Sequence, residues 1–250
     1  MKKILYIAAV MLGLLTSGCN DFLDSQVPQG TIDEEKLKQA AYVDNLVISA
    51  YAIWISAEDI NSSFSLWNYD VRSDDAYKGG NGTEDGDVFH ALEISQGIMT
   101  TAWNLSSIWE RLYNAISRAN TALDVLNKVD GNTYKLKEQR IAEMKFLRAH
   151  GHFLLKQLFK YIPFANQESL SPEEYNRLSN TVYTNDEGWA QIAADFEYAF
   201  NVLPDVQVEK ARPTRGAAAA YLAKTYLYKA YHQDNAASHA VTSIDADDLR

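Results

Sequence analysis

The sequence predicts an all-α fold. Five long segments place apolar residues three and four apart, proline or glycine falls near their ends, and no segment of similar length alternates as a half-buried strand would. With 47% hydrophobic and 12% aromatic residues, the chain can bury a substantial core without cross-links.

The elements follow in order. Lys2 and Lys3 precede an apolar run, Ile4 to Leu15, which is too short to cross a bilayer but has the length of a signal-peptide core. The small residues Thr16-Ser17-Gly18 then lead into Cys19, the only cysteine of the chain. Residues 1–18 are therefore expected to be a lipoprotein signal peptide, and Cys19 the lipidated residue; a plain secretory signal with a chance cysteine is the competing reading. Leu15 stands one position further from Cys19 than the usual spacing. Residues 19–32, which carry Pro28 and Gly30 and have no sustained period, read as a tether. The helical domain is expected over 33–250.

Its first helix opens at the acidic Asp33-Glu34-Glu35 and carries Val43, Leu46, Val47, Ala50, Tyr51 and Trp54 on one stripe, ending near Ala57. A second stripe runs from Ile108 through Leu112, Ile116, Ala119 and Leu123 to Leu126 and stops before Asp130-Gly131. The third helix, about Lys135 to Tyr161, is apolar on more than one side, so it is expected between neighbours; Pro163 closes it. The fourth carries Trp189, Ile192, Phe196 and Phe200 and ends at Pro204, and the fifth spans about Thr214 to Tyr231. Trp54, Trp109 and Trp189 lie on these stripes and are expected in the core.

Trp109-x2-Leu112-x3-Ile116 and Trp189-x2-Ile192-Ala193-x2-Phe196 share the opening spacing of a tetratricopeptide repeat, and Ala149-x3-Phe153 with Pro163 is similar to its second half. The same spacing also serves ordinary helix packing, so both readings stand on the residues alone.

Charge and motif content remove several classes of function. A balance of 23 basic to 33 acidic residues, with no basic run, excludes a nucleic-acid partner. His150 and His152 are two apart on a helix and do not share a face, which makes them a poor metal pair. Gly79-Gly80-Asn81-Gly82 lacks the Lys-Ser/Thr ending of a phosphate loop, and Gly-x-Ser-x-Gly is absent. Asp74-Asp75 and Glu84-Asp85-Asp87 supply carboxylates, but a glycosidase needs two that flank one bond from opposite sides. The expectation is a protein without catalysis, cofactor or bound metal.

Between the first two helices, from Asp59 to about Gly97, lies a long interruption rich in Gly, Asp and aromatic residues. Irregular segments of that length inside compact domains are usually functional or disordered, and the aromatics argue against disorder. Four motifs in order now carry a resemblance: Cys19-Asn20-Asp21-Phe22-Leu23-Asp24 after its lipobox; Arg72-Ser73-Asp74-Asp75-Ala76-Tyr77-Lys78-Gly79-Gly80; Ala142-Glu143-Met144-Lys145-Phe146-Leu147-Arg148-Ala149 with Tyr161-Ile162-Pro163; and Arg212-Pro213-Thr214-Arg215-Gly216 leading into Ala217 to Lys224. Together they resemble the SusD/RagB family of Bacteroidetes outer-membrane lipoproteins, over a stretch corresponding to about the N-terminal half of a member. On that resemblance the C-terminal half of the helical domain is expected to be missing.

The resemblance implies tetratricopeptide-like hairpins (a SusD-like fold), attachment to the outer face of the outer membrane through Cys19, oligosaccharide binding without cleavage, and a SusC-like TonB-dependent transporter as partner. A sugar offers hydroxyls at its edge and a weakly apolar C–H face, so its site needs exposed aromatics and Asp, Asn or Arg. Asp59, Asn61, Asp85 and Trp103 are the candidate glycan-binding residues, with Trp67 and Asp74 behind them. Each has a plainer reading: Asp59 and Asn61 as helix-end turns, Asp85 as a turn residue or weak calcium ligand, Trp103 as a packing lid, Trp67 as a loop anchor. Asp59-x-Asn61 with Asp85 and Trp103 is similar to fructan-binding members, which implies a β-fructan such as levan; a starch-like α-glucan or host glycan is the alternative. A protein of a different class, a structural lipoprotein whose hairpins bind only other proteins, would bury all its loop aromatics.

Overall fold

The computed structural model describes residues 40–55, 68–166, 171–233 and 240–250. All of them lie in one unit, Lys38–Arg250. Cys19, the tether and the start of the expected first helix fall outside the described residues, as do Asp59, Asn61 and Trp67.

Seven helices and one small ribbon are described: α1 (Ala40–Ile55), α2 (Asp87–Glu93), α3 (Trp103–Lys128), α4 (Lys137–Leu158), α5 (Pro172–Tyr175), α6 (Asn185–Val202), α7 (Arg215–Ala230), β1 (Tyr231–Gln233) and β2 (Val241–Ile244). The five predicted helices are α1, α3, α4, α6 and α7. Two corrections concern the rest. The interruption before α3 is not irregular throughout, because Phe89 and Leu92 of α2 are buried one turn apart. Beyond α7 the chain makes an antiparallel pair, with Tyr231 opposite Ile244 and a register break between His232 and Gln233.

α3 packs on α4, α6 on α7 and α4 on α6, so two successive hairpins stack, with α1 laid against α3. Stacked helix pairs of this kind are the tetratricopeptide arrangement. The α3–α4 contact is set by Gly151, where an added Cβ would come within 2.8 Å of Ile116 Cγ1. α6 starts on a capping box: the Thr184 hydroxyl accepts the Glu187 N–H at 3.3 Å, and the Glu187 carboxylate accepts the Thr184 N–H at 2.8 Å.

α4 is enclosed by its neighbours and takes part in two buried ionic clusters, around Glu143 and around Arg148. Glu143 is fully buried and accepts from Arg140 Nη1 and Arg212 Nη1, each at 2.8 Å, and from the Tyr51 hydroxyl at 3.1 Å. That knot joins α1 and α4 to the Arg212-Pro213-Thr214 turn before α7. One and a half turns further, Arg148 pairs with Asp195 of α6 and also reaches Asn120 of α3 at 3.0 Å. Burial alone would raise the Asp195 carboxyl, but the Arg148 guanidinium outweighs it and holds the group below its ordinary range.

Trp54 and Trp189 are buried as expected, Trp189 stacked on Tyr228. Trp109 departs from the expectation. It is half-buried and edge-on to Phe159, 4.9 Å between ring centres. Among the described residues no helix is long and apolar enough to cross a membrane.

Candidate functional site

The loop that precedes α2 is fixed at both ends. Asn68 and Asn104 are both buried, and Asn104 Nδ2 donates to Asn68 Oδ1 at 2.8 Å, tying the start of the loop to the first turn of α3. The Tyr69 hydroxyl donates to Leu154 O at 3.2 Å and Arg72 Nη1 to Leu158 O at 3.5 Å, which docks the same segment on the end of α4. Burial pushes the Tyr69 phenol well above its ordinary range. Val71, Phe89 and Leu92 then form a small separate core, with Ala76, Val88 and Leu105 against it.

From that core the loop tip projects on a series of left-handed residues: Asp74 at φ 65°, Gly79 at 68°, Gly80 at 80°, Gly82 at 102° and Gly86 at 76°. Gly80 is required twice over. Its φ suits glycine, and an added Cβ would sit 2.7 Å from Asp85 Oδ2. That same oxygen accepts the Asn81 N–H at 2.9 Å, while Lys78 Nζ donates to Gly82 O at 2.6 Å and to Asp85 O. One oxygen of the Asp85 carboxylate therefore closes the tip, and the residue remains exposed on it. Asp74 and Asp75 are both exposed, and Asp75 accepts the Ser73 hydroxyl at 3.0 Å.

Trp103 is the first residue of α3 and is 52% exposed. Its ring stands edge-on to Phe89, 5.8 Å between centres at 89°. Phe89 lies four residues beyond Asp85, and a Cβ on Gly86 would meet its ring at 3.7 Å. The short helix α2 thus brings the Asp85 tip and Trp103 into one neighbourhood. Phe89, which sequence reasoning passed over, holds the Trp103 ring, and a helix as short as α2 gave no signal that would have found it. Asn104, beside Trp103 in sequence, faces inward to Asn68.

Next to Trp103 the surface carries exposed Ile98 and Met99, which with Trp109 and Phe159 line a groove of about 410 Å³. The arrangement offers an aromatic ring on a rigid helix, an apolar trough beside it and exposed carboxylates on a glycine-shaped loop. Such a set can stack on a sugar ring and take its hydroxyls.

The scaffold defines the class first: a helical protein of tetratricopeptide-like hairpins. Residues 21–227 match the model of the SusD-like family described as "Starch-binding associating with outer membrane", and the chain belongs to that family. It is 29% identical over 229 residues to SusD-like protein P2 of Formosa agariphila, covering 91% of this chain and 43% of that protein. Its fold superposes on a structure titled as a laminarin binding SusD-like protein with a TM-score of 0.65 and 28% identity, over 77% of this chain and 41% of that one. A second, surface glycan-binding protein A from Bacteroides fluxus, gives 0.62 at 28% identity, over 76% of this chain and 40% of that one. The chain spans about two fifths of the length of these relatives.

Proposed function

We propose that the protein is a non-catalytic oligosaccharide receptor of the outer cell surface, held through a lipid on Cys19, which passes its ligand to a SusC-like TonB-dependent transporter. The observation that carries the binding reading is Trp103, exposed at the head of α3 and held edge-on by Phe89 beside the Asp74 to Asp85 loop. A ring fixed in this way loses little side-chain freedom when a sugar stacks on it. Asp59, Asn61 and Trp67 complete the candidate set from the segment between α1 and the loop.

Two ligand readings have separate support. The pattern of Asp59, Asn61, Asp85 and Trp103 favours a β-fructan such as levan. Membership of a family with a relative titled as laminarin binding favours laminarin, with starch next from the family description. The competing class, a protein-binding scaffold without a glycan site, calls for buried loop aromatics; the exposure of Tyr77 and Trp103 counts against it.

Native affinity electrophoresis of the full-length protein in gels containing levan, laminarin or starch tests the proposal. Retardation in at least one gel is expected, and unchanged migration in all three would refute the receptor reading. Retention of the ligand at its original chain length after long incubation tests the non-catalytic part.

A further inference from the structure

A second groove, of about 540 Å³, lies where the ends of α4, α6 and α7 meet the β1–β2 ribbon. Its lining includes four cations, Arg72, Lys156, Lys160 and Lys224, and no carboxylate. The chain as a whole carries 33 acidic to 23 basic residues, so a lining of four cations runs against its overall balance. A concave wall of one sign concentrates ions of the other.

The groove also has a prepared aromatic face. Tyr228 stacks on the buried Trp189, 4.9 Å between centres at 27°, and its hydroxyl accepts Gln157 Nε2 at 2.8 Å, which leaves the ring 40% exposed and held on two sides. Beneath it, the buried Lys156 ammonium lies 5.1 Å over Trp189 and donates to Lys160 O and Asn185 Oδ1, each at 2.9 Å. Both acceptors are neutral. Burial lowers the Lys156 amine to about 8, with Asp186 drawing it up and Lys160 pushing it down. The Asp186 carboxylate is itself engaged 2.6 Å from His232 Nδ1. A buried cation with neutral partners and an exposed ring in one groove are complementary to a ligand that is both ring-shaped and anionic.

We propose that this groove is a second saccharide site and that it takes an acidic sugar, a uronate or a sulfated residue, with the C–H face on Tyr228 and the acid group toward Lys156 and Lys224. This site is separate from the Trp103 region, and it rests on the glycan-receptor reading only for the saccharide nature of its ligand.

The test is isothermal titration and affinity electrophoresis of the full-length protein with polygalacturonate, a sulfated galactan, laminarin, levan and inorganic polyphosphate. Binding of polygalacturonate or the sulfated galactan is expected, and which of the two binds names the acid group. Tyr228→Ala and, separately, Lys224→Ala are each expected to weaken it at least tenfold. Trp103→Ala should leave acidic-sugar binding unchanged, so loss of neutral-glycan binding alone would report on the receptor reading and not on this one. The proposal is overturned if neither acidic polysaccharide binds. It is equally overturned if polyphosphate binds as tightly and Tyr228→Ala changes nothing, because the groove would then be a site for anions of any kind.

Discussion

Arg148 of α4 grips Asp195 of α6 with two parallel bonds, Nε to Oδ2 at 2.7 Å and Nη2 to Oδ1 at 2.9 Å, inside the stacked hairpins. Lys145 adds a third contact at 3.3 Å, and Arg148 Nη1 goes on to Asn120 Oδ1 and Asn166 O. The pair fixes the offset of one hairpin against the next, because planar guanidinium and carboxylate groups meet in this way in one geometry only.

Asp195→Asn should therefore destabilise the protein by about 3 kcal/mol, since a buried guanidinium loses its counter-charge while keeping its desolvation. Replacing both partners with apolar residues, as in Arg148→Met with Asp195→Leu, should recover most of that loss. Urea denaturation of the two variants beside the parent protein checks both statements.

Glycine at 151 gives a second stability test. Alanine is the better helix former by about 1 kcal/mol, yet here its Cβ would press on Ile116 at 2.8 Å. Overpacking of a filled core costs about 1–3 kcal/mol, so Gly151→Ala should lower the Tm. Combining it with Ile116→Val, which removes a methyl from the clash, should restore part of the loss.

Acid should weaken the fold through His152. Its ring is buried, and Nε2 already accepts the Ala165 N–H at 3.3 Å, so the neutral ring is the form the site holds. Burial and then the Arg148 charge push it down to about 3, against an ordinary value of 6.5. The unfolded chain thus takes up the proton first, and stability is full above pH 6.5 and declines as pH falls toward 3. By pH 5 the loss from this group is about 2 kcal/mol. His152→Gln, which keeps an acceptor for Ala165, should have a shallower decline between pH 7 and 5 in denaturation series.

At the candidate glycan site, Trp103→Ala should abolish most retardation by the glycan that binds, and Trp103→Phe should keep part of it. Because the ring is half in solvent, the Tm should move little. Unchanged retardation by Trp103→Ala would remove the stacking assignment.

Gly80→Ala tests the loop itself. The change forces a side chain into a left-handed position and against the Asp85 carboxylate, so the tip must open. Weaker glycan binding with a near-native Tm is expected, measured by electrophoresis beside thermal melts. Equal binding would show that the tip plays no part in recognition.

How much of this was legible in the residues follows from what each signal averages over. The five long helices were readable because a stripe such as Ile108 to Leu126 repeats the same fact over five turns. The helix α2 was not, because seven residues span only two turns and leave no period to count. Trp103 was legible as outward-facing from its place ahead of the α3 stripe. The role of Asp85 in closing its own loop was not, because it depends on the left-handed Gly80 and Gly82 that bring Asn81 over its carboxylate. Trp109 sat at the edge of the stripe, where Ile108 and Leu112 take the buried face and the tryptophan turns to Phe159. A stripe gives the face of a helix and is silent on how far around it the cover extends.

The separate small core of Val71, Phe89 and Leu92 has a consequence for how the loop can change over time. The loop hangs from this small core and from the bonds of Asn68, Tyr69 and Arg72 at its start, while the helices stand on the Glu143 and Arg148 knots along α4. Substitutions at the tip can therefore be sampled without endangering the fold, and the tryptophan platform stays in place while they are. A scaffold divided in this way can vary the tip of its loop while its helices keep their packing.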